Sequence, residues 1–287
     1  MKVIILQTDI CWADPEENLK RADKMMDACP GADLYVLPEM FSTGFCTRPE
    51  GVAEPAGHGS LEWMKRKAAA GNCAVAGSIA TEDGGKYYNR FYFVCPDGTV
   101  TWYDKKHLFT YGGEHKRYTP GNERVIVAFR GVRFLLQVCY DLRFPVWSRN
   151  RKDYDAILYV ASWPAPRVDA WKTLLRARAI ENQCYVVAVN RVGKDPECDY
   201  CGGSAVIDPY GHTLAACEDG KAECAGAEID MEQLEAFRKK FPVLDDADVK
   251  GRFYFHSEQI WDDFIIYSLH PGEELPAPAM GGLRIFK

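Results

Sequence analysis

Short runs of β-branched and aromatic residues alternate with helical patterns along most of this 287-residue chain. The run Lys2–Thr8 predicts a first buried strand. Asp14 followed by Pro15 predicts a helix start, because aspartate caps free backbone N–H groups and proline fits the first helical turn. Further along, Ala156–Ala161 reads as a strand and Asp169–Asn182 as a helix. This alternation indicates an α/β fold with a largely buried sheet.

The last part of the chain differs from the rest. Residues 241–287 are aromatic and proline-rich with weak periodicity. We therefore expect residues 1–240 to form the single domain, and residues 241–287 to form a tail that packs on that domain or on a partner subunit.

The charge balance excludes several classes of partner. The net charge is −6 and the sequence pI about 5.6, so nothing attracts nucleic acid or an anionic membrane surface. The apolar stretch near the first residue is too short for a signal peptide, and no later stretch reaches the length of a membrane span. We expect a cytoplasmic protein with neither kind of partner.

Eleven cysteines are scattered through the sequence. In an intracellular protein such residues are mostly small packed side chains and not a disulfide framework. Cys198 and Cys201 form a CxxC pair, but no second pair completes a zinc site. We interpret this pair as a loop feature open to redox chemistry. The six histidines form no ligand pattern and no glycine-rich nucleotide motif occurs, so neither a metal nor a cofactor is expected.

Three reactive side chains each come directly after a predicted strand: Glu39, Lys105 and Cys139. Taken alone, each has an ordinary interpretation as a solvated acid, an exposed basic turn or a packed thiol. Ligand sites in α/β sheets lie beyond the carboxyl ends of strands. A carboxylate, an ammonium and a thiol at three such ends therefore predict one reactive pocket.

The residues around these three positions carry a family resemblance. Leu37–Phe45 reads LPEMFSTGF, Tyr103–Phe109 reads YDKKHLF and Val138–Pro145 reads VCYDLRFP. These segments resemble, in order and spacing, the three catalytic motifs of the nitrilase-like carbon–nitrogen hydrolase family. The similarity extends over roughly residues 1–240, and it implies a four-layer αββα sandwich.

The resemblance also implies roles. Cys139 would be the nucleophile and Glu39 the acid/base. Lys105, and not the neighbouring Lys106, would stabilise the oxyanion together with the backbone N–H of Tyr140. Such an enzyme hydrolyses a C–N bond through a thioester and needs no cofactor.

The supporting residues are assigned less directly. Glu114 lies in a segment that resembles the one supplying the second glutamate of the family, where it would orient the lysine or contact the substrate. Arg143 is a candidate for binding a substrate carboxylate; an interior ion pair with Asp141 or another acid is the alternative. Phe41 and Trp163 are candidates for lining the pocket, and both also fit as core aromatics.

The motif forms most resemble the ω-amidase branch, which acts on short ω-amides of dicarboxylic acids such as 2-oxoglutaramate and 2-oxosuccinamate. An N-carbamoyl or nitrile substrate remains open within the family, and a catalytically inactive interaction protein on the same scaffold remains open outside it. Family members pair into homodimers through helices near the nucleophile. Here Phe144–Lys152 and Val168–Asn182 would supply that interface.

Overall fold

The computed structural model describes residues 1–246. Residues Met1–Phe241 form one compact unit. In the second unit, Pro242–Lys287, the described part is a 3-10 turn at Val243–Asp245. The packing predicted for the tail lies outside the described residues from position 247 onward.

Five α-helices occur in the first unit: α1 (Pro15–Ala28), α2 (Ser60–Gly71), α3 (Pro145–Ser148), α4 (Val168–Asn182) and α5 (Met231–Lys240). The strands of the same unit are β1 (Lys2–Gln7), β2 (Leu34–Val36), β3 (Glu54–Pro55), β4 (Ala74–Asp83), β5 (Lys86–Val94), β6 (Val100–Asp104), β7 (Ile126–Phe129), β8 (Val132–Val138), β9 (Ala156–Ala161), β10 (Tyr185–Asn190), β11 (Val192–Lys194), β12 (Asp199–Cys201), β13 (Ala205–Ile207), β14 (Thr213–Ala216) and β15 (Glu223–Glu228).

Two large mixed sheets form the body. The first has the order β15-β1-β2-β4-β5-β6, with β3 also paired to β4, and the second has the order β14-β13-β10-β9-β8-β7. In each sheet the three central strands are parallel, namely β1, β2 and β4 in one and β8, β9 and β10 in the other. The strands outside these central ones join by antiparallel pairing, some as hairpins with their sequence neighbours and others, such as β15 with β1, over a long stretch of chain; β3 instead pairs with β4 in parallel. Strands β11 and β12 form a separate two-stranded sheet.

The sheets pack face to face because their strands are apolar on both faces. Along β1, Val3 and Ile5 belong to a core shared by both sheets, whereas Ile4 and Leu6 face the layer of α1 and α2. On the other side, α4 covers the outer face of the second sheet. This alternation follows the two-residue period of a strand. The predicted four-layer αββα sandwich is confirmed.

The local signals at α1 act as predicted. The Asp14 side chain accepts from the backbone N–H of Glu17 at 3.0 Å, and Pro15 is the first helical residue. This cap satisfies one of the N–H groups that the first turn leaves without a helical partner.

One cysteine pair departs from the expectation of packed thiols. Cys29, at the end of α1, and Cys224, on β15, form a disulfide across 195 residues of sequence. Nine cysteines within the described residues are free. Because β15 pairs with β1, and α1 follows β1, the fold brings together two positions that nothing in their local sequence connects.

No helix within residues 1–246 is long and apolar enough to cross a lipid bilayer.

Candidate active site

Glu39 lies just beyond β2, in a backbone segment held by the neighbouring strand β4. Met40 has a φ of 45°, in the left-handed region that side chains with a Cβ rarely adopt. Its N–H donates to Ser78 Oγ at 2.9 Å, and the N–H of Phe41 donates to the Ser78 carbonyl at 3.2 Å. These bonds fix the turn, and the Glu39 side chain is completely buried.

Each oxygen of the Glu39 carboxylate has assigned donors. Oε1 accepts from Lys105 Nζ at 2.9 Å and from Asn89 Nδ2 at 2.7 Å. Oε2 accepts from the backbone N–H of Ser162 at 2.8 Å. Charge-assisted hydrogen bonds of this kind fix both position and orientation.

Lys105, directly after β6, connects two acids. Its Nζ donates to Glu39 Oε1 at 2.9 Å and to Glu114 Oε2 at 2.9 Å, and all three side chains are fully buried. Burial by itself would lower the pKa of Lys105. The negative charges of Glu114 and Glu39 outweigh that effect, so the pKa is raised. Lys105 therefore stays a cation at neutral pH.

Glu114 opens a 3-10 turn at Glu114–Lys116. Its carboxylate accepts from the N–H of Phe109 at 2.6 Å and from Asn89 Nδ2 at 3.1 Å, besides Lys105. Burial raises the pKa of Glu114, the Lys105 charge opposes this shift, and the Glu39 charge adds to it; the net pKa is raised. Two carboxyl groups thus share one ammonium in a water-poor interior.

Cys139 occupies the point where β8 ends and a 3-10 turn, Cys139–Arg143, begins. Its φ is 46°, a strained value for a residue with a side chain. Burial raises the pKa of the Cys139 thiol, the Glu39 carboxylate raises it further, and Lys105 only partly opposes them. At rest the thiol is protonated, so attack requires a base, and Glu39 is the carboxylate beside it.

The backbone around Tyr140 faces the same chemistry. Tyr140 is the second residue of the 3-10 turn. The first N–H groups of a helical turn have no partner within it. The Tyr140 N–H therefore has no acceptor within its own turn.

A cavity of about 620 Å³ contains these groups. Glu39, Lys105 and Cys139 all contribute to its wall. Aromatic and cationic side chains add to the lining: Phe45, Phe109, Trp163, Arg143 and Arg167. The cavity thus combines a thiol, a carboxylate and a buried cation with guanidinium groups nearby.

A family model for carbon-nitrogen hydrolases matches residues 2–239. The chain belongs to the carbon-nitrogen hydrolase family.

Relatives of this carbon-nitrogen hydrolase match nearly their full length. The omega-amidase YafV of Escherichia coli K12 is 47% identical over 86% of this chain and 97% of its own. The 2-oxoglutaramate amidase of Bacillus subtilis is 38% identical, covering 84% of this chain and 95% of its own. Among solved structures, the CN-hydrolase superfamily protein XC1258 of Xanthomonas campestris, described with an arsenic adduct in its active site, has a TM-score of 0.84 and 40% identity, covering 86% of this chain and 97% of its own.

The structure brings the three predicted strand ends of this carbon-nitrogen hydrolase together in one cavity. Strands β2, β6 and β8 end at the same edge, although β6 belongs to the first sheet and β8 to the second. Glu114 joins them through Lys105. The catalytic roles of these residues stay predictions.

The candidate substrate-binding residues separate into two groups. Arg143 is exposed, lines the cavity and lies over the Trp163 ring at 4.9 Å. Within residues 1–246 it forms no ion pair; Asp141, the alternative partner, binds His107 instead. Trp163 lines the cavity as predicted. Phe41 does not, because it packs against Trp63 in the core beneath α2, with ring centroids 5.9 Å apart.

The CxxC pair lies only partly in a loop: Cys201 belongs to β12, and Cys198, directly before that strand, lines the cavity. Both are free thiols, and their redox chemistry stays a prediction. Within the described part of the chain, no three His, Cys, Asp or Glu side chains are grouped so that they could hold a metal ion.

Two residues of the site were not predicted. Asn89 donates to both Glu39 and Glu114 while its Oδ1 accepts from Ser78 Oγ at 2.9 Å. Ser162 supplies an N–H to Glu39 from the end of β9. The only signal for Asn89 is an amide inside the largely aromatic strand β5. For Ser162 it is a polar residue directly after a strand.

Proposed function

We propose that this carbon-nitrogen hydrolase cleaves the terminal amide of a short dicarboxylic acid, of the 2-oxoglutaramate or 2-oxosuccinamate type, into acid and ammonia. The observation that carries the proposal is the placement of the Cys139 thiol in one cavity with Glu39 and the buried Lys105 cation. The names of the two relatives above support the substrate class.

The first half of the reaction forms a thioester. The Cys139 sulfur bonds to the amide carbon as Glu39 takes the thiol proton, and the carbonyl becomes an oxyanion. When that intermediate collapses, the C–N bond breaks and Glu39 passes the proton to the leaving nitrogen, which departs as ammonia.

The second half reverses these roles. A water molecule enters, Glu39 takes one of its protons, and the oxygen bonds to the thioester carbon. The C–S bond then breaks, and the proton on Glu39 returns to the sulfur. Acid is released and Cys139 is again a neutral thiol, the state that burial and the Glu39 charge favour at rest.

Lys105 and the Tyr140 N–H stabilise both oxyanions. A donor fixed in advance in a water-poor site costs no reorganisation during the reaction. Because the pKa of Lys105 is raised, its charge persists throughout. Glu114 holds the ammonium through a second ion pair, 2.9 Å from its Oε2, and so sets its direction.

Arg143 is the proposed partner of the substrate carboxylate. It closes the 3-10 turn that Cys139 opens, a rise of about 8 Å over five residues, so an arginine fork and the sulfur reach the two ends of a short diacid. Trp163 supports the guanidinium from beneath. Arg167, over the Phe109 ring at 5.6 Å, adds positive charge to the same cavity.

We further propose a cytoplasmic homodimer joined through Phe144–Lys152 and Val168–Asn182. Two apolar side chains in these segments are exposed, Val146 at 83% and Ile180 at 47%. Light scattering on the purified protein tests this: a monomer at micromolar concentration contradicts it.

The decisive experiment measures ammonia release from 2-oxoglutaramate, an N-carbamoyl amino acid and a nitrile. We expect turnover of the first substrate, and its loss in Cys139→Ser. Cys95→Ser, at the turn between β5 and β6, is the matched control and keeps full activity. Turnover of the nitrile alone, or full activity in Cys139→Ser, contradicts the proposal.

The substrate carboxylate has its own test. Arg143→Met is expected to raise KM for 2-oxoglutaramate roughly 10- to 100-fold, the worth of a hydrogen bond to a charged group, while a neutral aliphatic amide is unaffected. An equal change for both amides shows that Arg143 does not read the carboxylate.

A further inference from the structure

Asp141, two residues after Cys139, is a buried carboxylate that the proposed chemistry does not use. It is completely buried. Its Oδ2 accepts from Tyr103 Oη at 2.8 Å and from the Val138 N–H at 2.9 Å. Its Oδ1 lies 3.0 Å from the His107 backbone N and 2.8 Å from His107 Nδ1. Asp141 does not line the cavity that contains Cys139.

These partners flank the catalytic residues on both sides. Tyr103 precedes Lys105 by two residues and His107 follows it by two, whereas Val138 directly precedes Cys139. The lysine segment continues from β6 in the first sheet, and the cysteine segment continues from β8 in the second. One carboxylate therefore binds the two sheets together at the places where the cation and the nucleophile emerge.

The connection is reinforced from outside. Tyr103 Oη accepts from the Lys106 N–H at 3.0 Å and from Trp147 Nε1 at 3.2 Å. The His107 ring stacks on Phe144, with centroids 3.8 Å apart and an 8° angle between planes. A buried carboxylate whose hydrogen-bond donors are all present is held rigidly. It therefore restricts the movement of the segments that contain Lys105 and Cys139.

We propose that Asp141 is a positioning residue that fixes the Lys105 ammonium relative to the Cys139 sulfur. It does not touch the substrate. Its bond to the Val138 N–H also holds the strand end from which Cys139 turns with positive φ. The proposal rests on the proposed function, because it concerns the same site, but one of its two measurements needs no substrate.

The first measurement is steady-state hydrolysis by Asp141→Asn. The amide has an NH₂ group in place of one carboxylate oxygen. That group would face the donors from Tyr103, Val138 or His107, so hydrogen bonds between the two sheets are lost. A displacement of about 1 Å between reacting groups costs up to ~10²-fold, and we expect that loss in kcat with little change in KM. Asp155→Asn is the matched control: Asp155 is also buried, but its partners are Arg133 and Arg238, away from the cavity.

The second measurement is the pH profile of Cys139 alkylation by iodoacetamide, followed on the Cys139 peptide by mass spectrometry. The groups that face the thiol are Glu39 and Lys105, with Glu114 behind them. Loss of the Asp141 negative charge alone would move the profile to lower pH. Displacement of Lys105 moves it to higher pH, and a rise of about half a unit or more is expected.

A milder pair covers the case in which Asp141→Asn fails to fold. His107→Phe keeps the stacking on Phe144 and removes the Nδ1 contact, whereas His107→Asn keeps a donor near that position. We expect a several-fold loss of kcat in the first and partial recovery in the second.

Three outcomes overturn the proposal: kcat within twofold of wild type in Asp141→Asn, an equal loss in Asp155→Asn, or an alkylation profile that stays or falls. If the wild-type protein releases no ammonia from any amide, the proposed function fails, and the alkylation profile still decides the role of Asp141.

Discussion

Two groups of charged side chains, each built around buried carboxyl groups at a different place in this fold, have opposite charge balance. At the active site two acids, Glu39 and Glu114, share the single cation Lys105. At the start of β9 one acid, Asp155, binds two cations, Arg133 and Arg238. The first group is short of positive charge and the second has an excess.

The pKa values of Glu114 and Asp155 shift in opposite directions because of this difference. Burial raises the pKa of Glu114 more than Lys105 lowers it, so the net pKa is raised. Burial would also raise the pKa of Asp155, but hydrogen bonds from Arg133 and Arg238 outweigh it and the net pKa is lowered. A carboxylate with ample positive charge is an inert structural acid. A group short of positive charge favours bound protons, and this readiness to exchange protons is typical of functional sites.

Glu39→Gln tests the comparison with the largest expected effect. The amide keeps the size of the side chain but cannot take the thiol proton, so kcat for the amide should fall by ~10²–10⁴-fold. Asp155→Asn, the equivalent change in the structural group, should leave kcat per folded molecule unchanged. Equal losses in the two variants would show that the contrast has no functional meaning.

Lys105→Met comes next. Loss of one oxyanion donor typically costs ~10²–10³-fold in rate. The adjacent Lys106→Met is the control. The Lys106 ammonium donates to the Asn122 side chain at 2.9 Å and lies over the Trp147 ring at 5.6 Å, and it binds neither Glu39 nor Glu114, so the variant should keep kcat within about twofold. Single-turnover rates measured on both variants decide between the two lysines, and a larger loss at Lys106 would reverse the assignment.

Glu114→Gln should be milder. Lys105 keeps its bond to Glu39 but loses its second charged partner, so its direction loosens and kcat should drop by up to ~10²-fold with KM nearly constant. A loss as deep as that of Glu39→Gln would indicate that Glu114 exchanges protons itself.

Asp155→Asn should change stability and not rate. The lowered folded-state pKa means that ionised Asp155 stabilises the fold above its unfolded pKa of about 3.9, and that this stabilisation is lost as pH falls below that value. At neutral pH we expect a cost of about 1–3 kcal/mol. The difference in Tm between wild type and variant, measured from pH 7 to pH 3, should shrink toward the acid end. A constant difference would contradict the pairing.

The sequence predicted what local patterns and strand ends determine. The cap at Asp14 and the strand Ala156–Ala161 appear where expected, and the helix expected at Asp169–Asn182 begins one residue earlier, at Val168. The convergence of Glu39, Lys105 and Cys139 was also predictable, because carboxyl ends of strands share an edge.

What failed depends on contacts between distant segments. Asn89 binds Glu39 and Glu114 only when β5 lies beside β4. Asp141 connects the lysine and cysteine segments only when the two sheets pack together. The prediction for Phe41 was wrong because a single residue, Met40, separates it from Glu39. Glu39 lines the cavity, whereas Phe41 already packs in the core beneath α2. The pairing of Cys29 with Cys224, 195 residues apart in the sequence, depends on β15 joining β1.

That last strand pairing has a consequence for how the protein is made. Strand β1, Lys2–Gln7, leaves the ribosome long before its outer neighbour β15, which spans Glu223–Glu228. At ~5–20 residues per second, the gap between them lasts roughly 10–40 s. Throughout that interval the nascent chain carries an open strand edge, a template for mispairing. Slow translation of the second half therefore prolongs the period in which neighbouring nascent chains can aggregate.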